Sequence, residues 1–123
     1  MTGKTILYVE DNEYNRKIVR QLLAKTSYRL LEATDGEAGV EAALAERPDL
    51  ILMDVQLPKI SGLEATRRLR AEAATARTPI IAITSFALSG DDQKARDAGA
   101  SSYLAKPYSP RELLAKIRQF LPE

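Results

Sequence analysis

Five short apolar runs punctuate the chain: Ile6-Leu7-Tyr8-Val9, residues 28–33, Leu50-Ile51-Leu52-Met53, Ile80-Ile81-Ala82-Ile83 and Tyr103-Leu104-Ala105. Three of them are continuous rather than alternating, which suits strands buried on both faces of a parallel sheet. The run at 28–33 carries Arg29 and Glu32 and reads as an edge strand. Between the runs the apolar residues take helical spacing: Ile18 with Leu22 and Val19 with Leu23, then Ala38, Ala42 and Ala45, then Leu63, Thr66, Leu69 and Ala73. Leu113, Leu114, Ile117 and Leu121 close the chain in the same way. Helix-start signals fall where these segments begin. Ser109-Pro110-Arg111-Glu112 is a capping box with proline at the first helical position, and Thr34 to Glu37 and Ser61 to Glu64 repeat the Ser/Thr-x-x-Glu pattern. Gly99 stands where a helix C-terminal glycine belongs. Five β-α units in alternation, with right-handed crossovers, predict a doubly wound α/β sandwich of three layers.

A length of 123 residues allows one domain, 1–123, large enough to fold without a metal or disulfide. The chain has no Cys and no His. That excludes thiol catalysis, a Ser-His-Asp triad and a His-ligated metal on this chain. A net charge of +1 makes no case for nucleic acid or membrane surfaces. The basic residues are spread out (Arg67, Arg68, Arg70, Lys94, Arg96, Arg111, Lys116, Arg118) and read as solvated helix faces. No signal segment or membrane-spanning stretch is visible, so the expected location is the cytoplasm.

Four of the runs end in residues that are costly beside a core. The first ends in Glu10 and Asp11, the third in Asp54, the fourth in Thr84 and the fifth in Lys106. Singly, each has an ordinary explanation as a turn, cap or surface residue. Together they sit at strand carboxyl ends, the edge where open α/β sheets bind ligands. Three carboxylates in one crevice repel one another and raise one another's pKa. A hard divalent cation, Mg2+ or Mn2+, relieves this through oxygen ligands. Lys106 and Thr84 can then hold phosphoryl oxygens, and a carboxylate nucleophile would yield an aspartyl phosphate.

These residues carry a family resemblance. Val9-Glu10-Asp11-Asn12, the segment LILMDVQLP from Leu50 to Pro58, Gly62, Ile83-Thr84-Ser85 and Tyr103-Leu104-Ala105-Lys106-Pro107 together resemble the receiver domain of two-component response regulators. The resemblance covers essentially the whole chain. It implies a flavodoxin-like fold with strand order 2-1-3-4-5. It also implies Asp54 as phosphoacceptor, Asp11 as a direct metal ligand, Glu10 as a ligand through water, and the Gln56 backbone carbonyl as a third protein ligand. Thr84 and Lys106 resemble the switch hydroxyl and the phosphate-binding lysine. Tyr103 resembles the aromatic that changes rotamer with the hydroxyl, and Lys106-Pro107 a bond usually cis in this family. Within the family the chain is similar to stand-alone receivers, including alphaproteobacterial cell-division regulators, and to receivers of hybrid kinases.

The expected phosphoryl donor is a histidine kinase or histidine phosphotransferase. Phosphorylation is expected to make Thr84 move, Tyr103 follow, and residues 86–90 with the fourth helix change state. The fifth helix is expected to end two residues before the terminus, leaving no DNA-binding output domain, so output runs through an unknown downstream protein or a phosphorelay. The exposed start of the first helix, Asn15 and Arg16, is a candidate partner contact, as is the face of the fourth helix, fifth strand and fifth helix. Phe86 is placed to hinder a hydrolytic water. Four other readings compete. A flavodoxin-like electron carrier needs a hydroxyl- and glycine-rich first loop, whereas this loop is acidic. An aspartyl phosphatase typically has a second Asp at position 56, which is Gln56. A phosphorylation-independent binding module, or a receiver excised from a hybrid kinase, stays open, although Met1 and the Pro122-Glu123 end lean against excision.

Overall fold

The computed structural model describes residues 3–84 and 91–122. Its elements alternate as β1 (Thr5–Val9), α1 (Glu13–Leu23), β2 (Arg29–Ala33), α2 (Gly36–Glu46), β3 (Leu50–Asp54), α3 (Gly62–Ala71), β4 (Ile80–Thr84), α4 (Asp91–Ala98), β5 (Ser102–Ala105) and α5 (Pro110–Phe120). The strands form one parallel sheet in the order β2-β1-β3-β4-β5. The Arg29/Glu32 run is accordingly an edge strand, and the three continuous runs are the inner strands.

The pleat sends alternate residues to opposite faces, which builds two cores. Ile6, Tyr8, Leu50, Leu52, Ile81 and Ile83 pack with Val19 and Leu23 of α1 and Leu113 and Ile117 of α5. Leu7, Val9, Ile51, Met53 and Ile80 pack with Ala43 of α2 and with Ala65 and Leu69 of α3. A strand buried on both sides has no room for a polar face, hence the unbroken apolar runs.

Helix ends follow local chemistry. Ser109 and Glu112 form the reciprocal capping box, and the Ser61 hydroxyl accepts the Glu64 N–H at 3.1 Å. At α2 the cap is Asp35, which accepts the Ala38 N–H at 2.8 Å, and not Thr34. A carboxylate is an equally good cap, so the adjacent pair could not be separated by pattern alone. Gly99 follows α4 at a φ of 113°, a left-handed conformation that glycine adopts without Cβ strain. α5 ends at Phe120.

One of the three arginines on α3 is not the solvated residue its sequence context suggests. Arg67 and Arg68 pair with Glu64 on their own helix. Arg70 instead donates to the carbonyls of Gly99 (2.8 Å), Thr75 (3.0 Å), Ala76 (3.2 Å) and Thr78 (2.7 Å), and to the Ser101 hydroxyl at 3.2 Å. The planar guanidinium thus ties the loop after α3 to the turn between α4 and β5. Arg70→Ala strands these carbonyls and should cost about 2 kcal/mol. Arg67→Ala should cost under about 0.5 kcal/mol, because it breaks only an exposed pair. Urea denaturation of the two variants side by side measures the difference.

Candidate functional site

The acidic crevice forms because β1 and β3 are neighbours in the sheet while the residues that end them are far apart in sequence. Glu10 and Asp11 follow β1, Asp54 closes β3, and one carboxylate oxygen from each lies within 4.8 Å of the others. Glu10 and Asp54 are buried, at 1% and 3% exposure, whereas Asp11 faces solvent. Lys106, just past β5, reaches across β4 to Asp54 Oδ2 at 3.3 Å and, past β3 as well, to Glu10 Oε1 at 2.9 Å. Its own N–H donates to the Thr84 carbonyl at 2.7 Å, so β4 and β5 align Thr84 and Lys106 at the same rim. Thr84 is buried and Tyr103 half-buried. The Lys106–Pro107 peptide is cis.

Backbone N–H groups hold both buried carboxylates. Asp54 Oδ1 accepts the Gln56 N–H at 2.9 Å and Glu10 Oε2 accepts the Asn12 N–H at 3.2 Å. Gln56 itself is exposed. Glycine sets the wall behind Asp54. Gly62 at the start of α3 donates its N–H to the Val55 carbonyl at 2.8 Å, and a Cβ there would collide with the Asp54 carbonyl oxygen.

The electrostatics are uneven. Burial pushes the Asp54 carboxyl up to about 6; the Glu10 carboxylate adds to this, and the Gln56 N–H and Lys106 oppose it. Glu10 is also pushed up by burial, but the hydrogen bond and charge of Lys106, helped by the Asn12 N–H, outweigh this and leave it below its ordinary value. For Lys106, burial pulls downward and is overcome by Glu10 and Asp54, so the ammonium stays charged. One ammonium thus serves two buried carboxylates, and the one with less compensation is Asp54. A set of hard oxygen donors with an exposed member suits a divalent cation such as Mg2+ or Mn2+.

The whole of residues 6–118 matches the response regulator receiver domain model. The chain belongs to that family. This receiver domain is 39% identical to the polar-differentiation response regulator DivK of Brucella anthropi over 118 residues, 96% of each chain. Among solved structures it resembles the receiver domain of a sensor histidine kinase from Pseudomonas aeruginosa, which has a magnesium ion coordinated in its active-site cleft. The two superpose with a TM-score of 0.91 at 39% identity, covering 99% of this chain and 100% of that one. A chemotaxis response regulator of Vibrio cholerae gives a TM-score of 0.91 at 29% identity, over 98% of this chain and 100% of that one. The five-stranded flavodoxin-like fold expected from the resemblance is the fold observed.

Asn15 and Arg16, the candidate partner contacts on α1, are less exposed than their sequence context suggests. The Arg16 side chain is only 12% exposed. It donates to the Glu10 carbonyl at 2.8 Å and pairs with Glu13 and Glu32, so it braces the loop from within. Asn15 is half-buried, and its N–H is taken by the Asn12 cap at 2.9 Å. The exposed apolar residues of α1 are Tyr14 (70%) and Ile18 (38%). Ile18 reads as core in an i, i+4 pattern, so only its rotational position on the folded helix reveals it as surface. Residues 86–90 and Phe86 lie outside the described residues. Tyr8 and Tyr108 join the site without any signal in the linear pattern: the Tyr8 hydroxyl donates to Glu10 Oε1 at 3.1 Å, and Tyr108 adjoins it. Among the described residues no helix is long and apolar enough to cross a membrane.

Proposed function

We propose that this receiver domain accepts a phosphoryl group on Asp54 from a phosphohistidine of a histidine kinase or histidine phosphotransferase, with Mg2+ or Mn2+ held at Glu10, Asp11, Asp54 and the Gln56 carbonyl. The observation that carries the reading is the clasp around Asp54, a buried carboxylate at a strand end that pairs with the Lys106 ammonium and lies beside two further carboxylates. In the transfer an Asp54 carboxylate oxygen forms a bond to phosphorus as the nitrogen–phosphorus bond of the donor breaks. The imidazole leaves with its bonding electron pair and takes up a proton. When bound, the cation neutralises charge on the carboxylates and on the phosphoryl oxygens. Lys106 is already aimed at Asp54 and supplies positive charge where phosphoryl oxygens arrive. The Gln56 N–H keeps the carboxylate from rotating.

The chain accepts a group and assists its own phosphorylation rather than turning over a substrate. Thr84 at the same rim is the group that would follow the new charge, with Tyr103 on the neighbouring strand at the position paired with Ala82. Through that movement the phosphorylated state would present a changed surface to a downstream protein. The proposed location is the cytoplasm, where histidine kinases present their phosphohistidine.

The cation requirement is measurable in the folding equilibrium. Mg2+ at ten times its dissociation constant should stabilise the wild type by about 1.4 kcal/mol. Asp11→Asn removes a direct ligand without disturbing the core, because Asp11 is exposed. Thermal melts with EDTA and with Mg2+ should show a rise for the wild type and little or none for Asp11→Asn. An equal rise in both would remove Asp11 from the metal site.

A further inference from the structure

A fully buried tyrosine in an inner strand is an unusual choice, because its hydroxyl must find a partner inside an apolar layer. Tyr8 is 0% exposed and packs in the core between the sheet and helices α1 and α5. Its hydroxyl donates to Glu10 Oε1 at 3.1 Å. The same oxygen accepts Lys106 Nζ at 2.9 Å. A carboxylate oxygen has two lone-pair sites, so Oε1 is filled. Oε2 accepts the Asn12 N–H at 3.2 Å and keeps one site. The terminal torsion of a glutamate is broad, so the carboxylate needs such asymmetric partners to hold one orientation.

Tyr108 extends the arrangement outward. It lies two residues beyond Lys106, and its phenol is beside the Tyr8 phenol. Tyr108 also lines a surface groove of about 270 Å³ with Asn15, Ile18, Lys106 and Pro107. Tyr108 thus stands between the groove and the buried Tyr8–Glu10 pair.

We propose that Tyr8 is a positioning residue for the metal site: its phenol and Lys106 together fill Glu10 Oε1 and leave Oε2 to the cation or its water. This role rests on the metal-dependent function proposed for the site. Outer partners of metal-binding carboxylates commonly change metal affinity by about tenfold or more when removed.

Phenylalanine keeps the ring in place and deletes only the hydroxyl. Calorimetric binding of Mg2+ to the metal-free full chain should give a dissociation constant raised about tenfold in Tyr8→Phe. The chain has five Tyr and no Trp, so a near-ultraviolet difference spectrum on Mg2+ addition reports chiefly on tyrosines. The wild type should show a tyrosine signal that is largely lost in Tyr8→Phe, which a change in packing alone would not produce. Wild-type affinity and an unchanged difference spectrum in Tyr8→Phe would overturn the inference and leave the metal site standing. Failure of the wild type to bind Mg2+ would overturn both.

Discussion

Asp54→Asn is expected to reduce labelling by acetyl phosphate with Mg2+ from near-stoichiometric to background, as read by intact-protein mass. The amide has almost the same shape, keeps a carbonyl oxygen for the Gln56 N–H, and lacks the nucleophilic carboxylate. Loss of labelling is therefore chemical rather than a result of unfolding, and the same variant supplies its own control. Burial raises the Asp54 pKa from 3.8 to about 6, so the folded state holds this proton more tightly than the unfolded chain does. The penalty for ionising it is absent below about pH 4, grows between the two pKa values, and is complete above about pH 6. In EDTA the variant should melt above the wild type at about pH 7.5, by on the order of 1–3 kcal/mol, and the gain should vanish near pH 4. Persistent stoichiometric labelling of a variant that melts in this way would move the acceptor to another residue.

Gly62→Ala should be the most damaging single methyl that can be added near the site. The new Cβ would collide with the Asp54 carbonyl oxygen and lie 2.8 Å from the Asp54 carbonyl carbon and from Val55 Cα. All of these are backbone atoms at the end of a central strand, which no side-chain rotation can clear. Either α3 lifts off β3 or the Asp54–Gln56 turn moves. The expected cost is about 3 kcal/mol, a fall in melting temperature of roughly 10–15 °C. Ser61→Ala next door removes only a helix cap and should cost about 1 kcal/mol. If Gly62→Ala melts no lower than Ser61→Ala, the close approach of α3 to the acceptor strand is wrong.

Asp54 and Gly62 both stand out in the linear chain, but for different reasons. Asp54 is visible because a carboxylate at the end of LILMD contradicts the apolar run before it. Gly62 is visible only as part of a family-like segment, because nothing local to Ser61-Gly62-Leu63 announces the backbone it leans on. The same division runs through the site. Glu10, Asp11, Thr84 and Lys106 are legible as polar stops on buried strands. Tyr8 resembles its apolar neighbours in the run, and only its distance to Glu10 separates it from them. Arg16 and Arg70 look like surface charges on amphipathic helices, yet each binds backbone carbonyls outside its own helix.

Alternation of unbroken apolar runs with helical spacing was enough, by itself, to dictate a covered parallel sheet with a polar rim, because burial on both faces leaves a strand only one kind of side chain. Caps such as Ser109 with Glu112 were equally fixed, since their partners lie within one helical turn. Only tertiary structure decided which carboxylate bears the raised pKa, which oxygen of Glu10 is committed, and which arginines are internal. Those outcomes depend on distances between groups up to 96 positions apart, as for Lys106 and Glu10. Such distances are set when the sheet closes and the helices dock, and no local pattern encodes them.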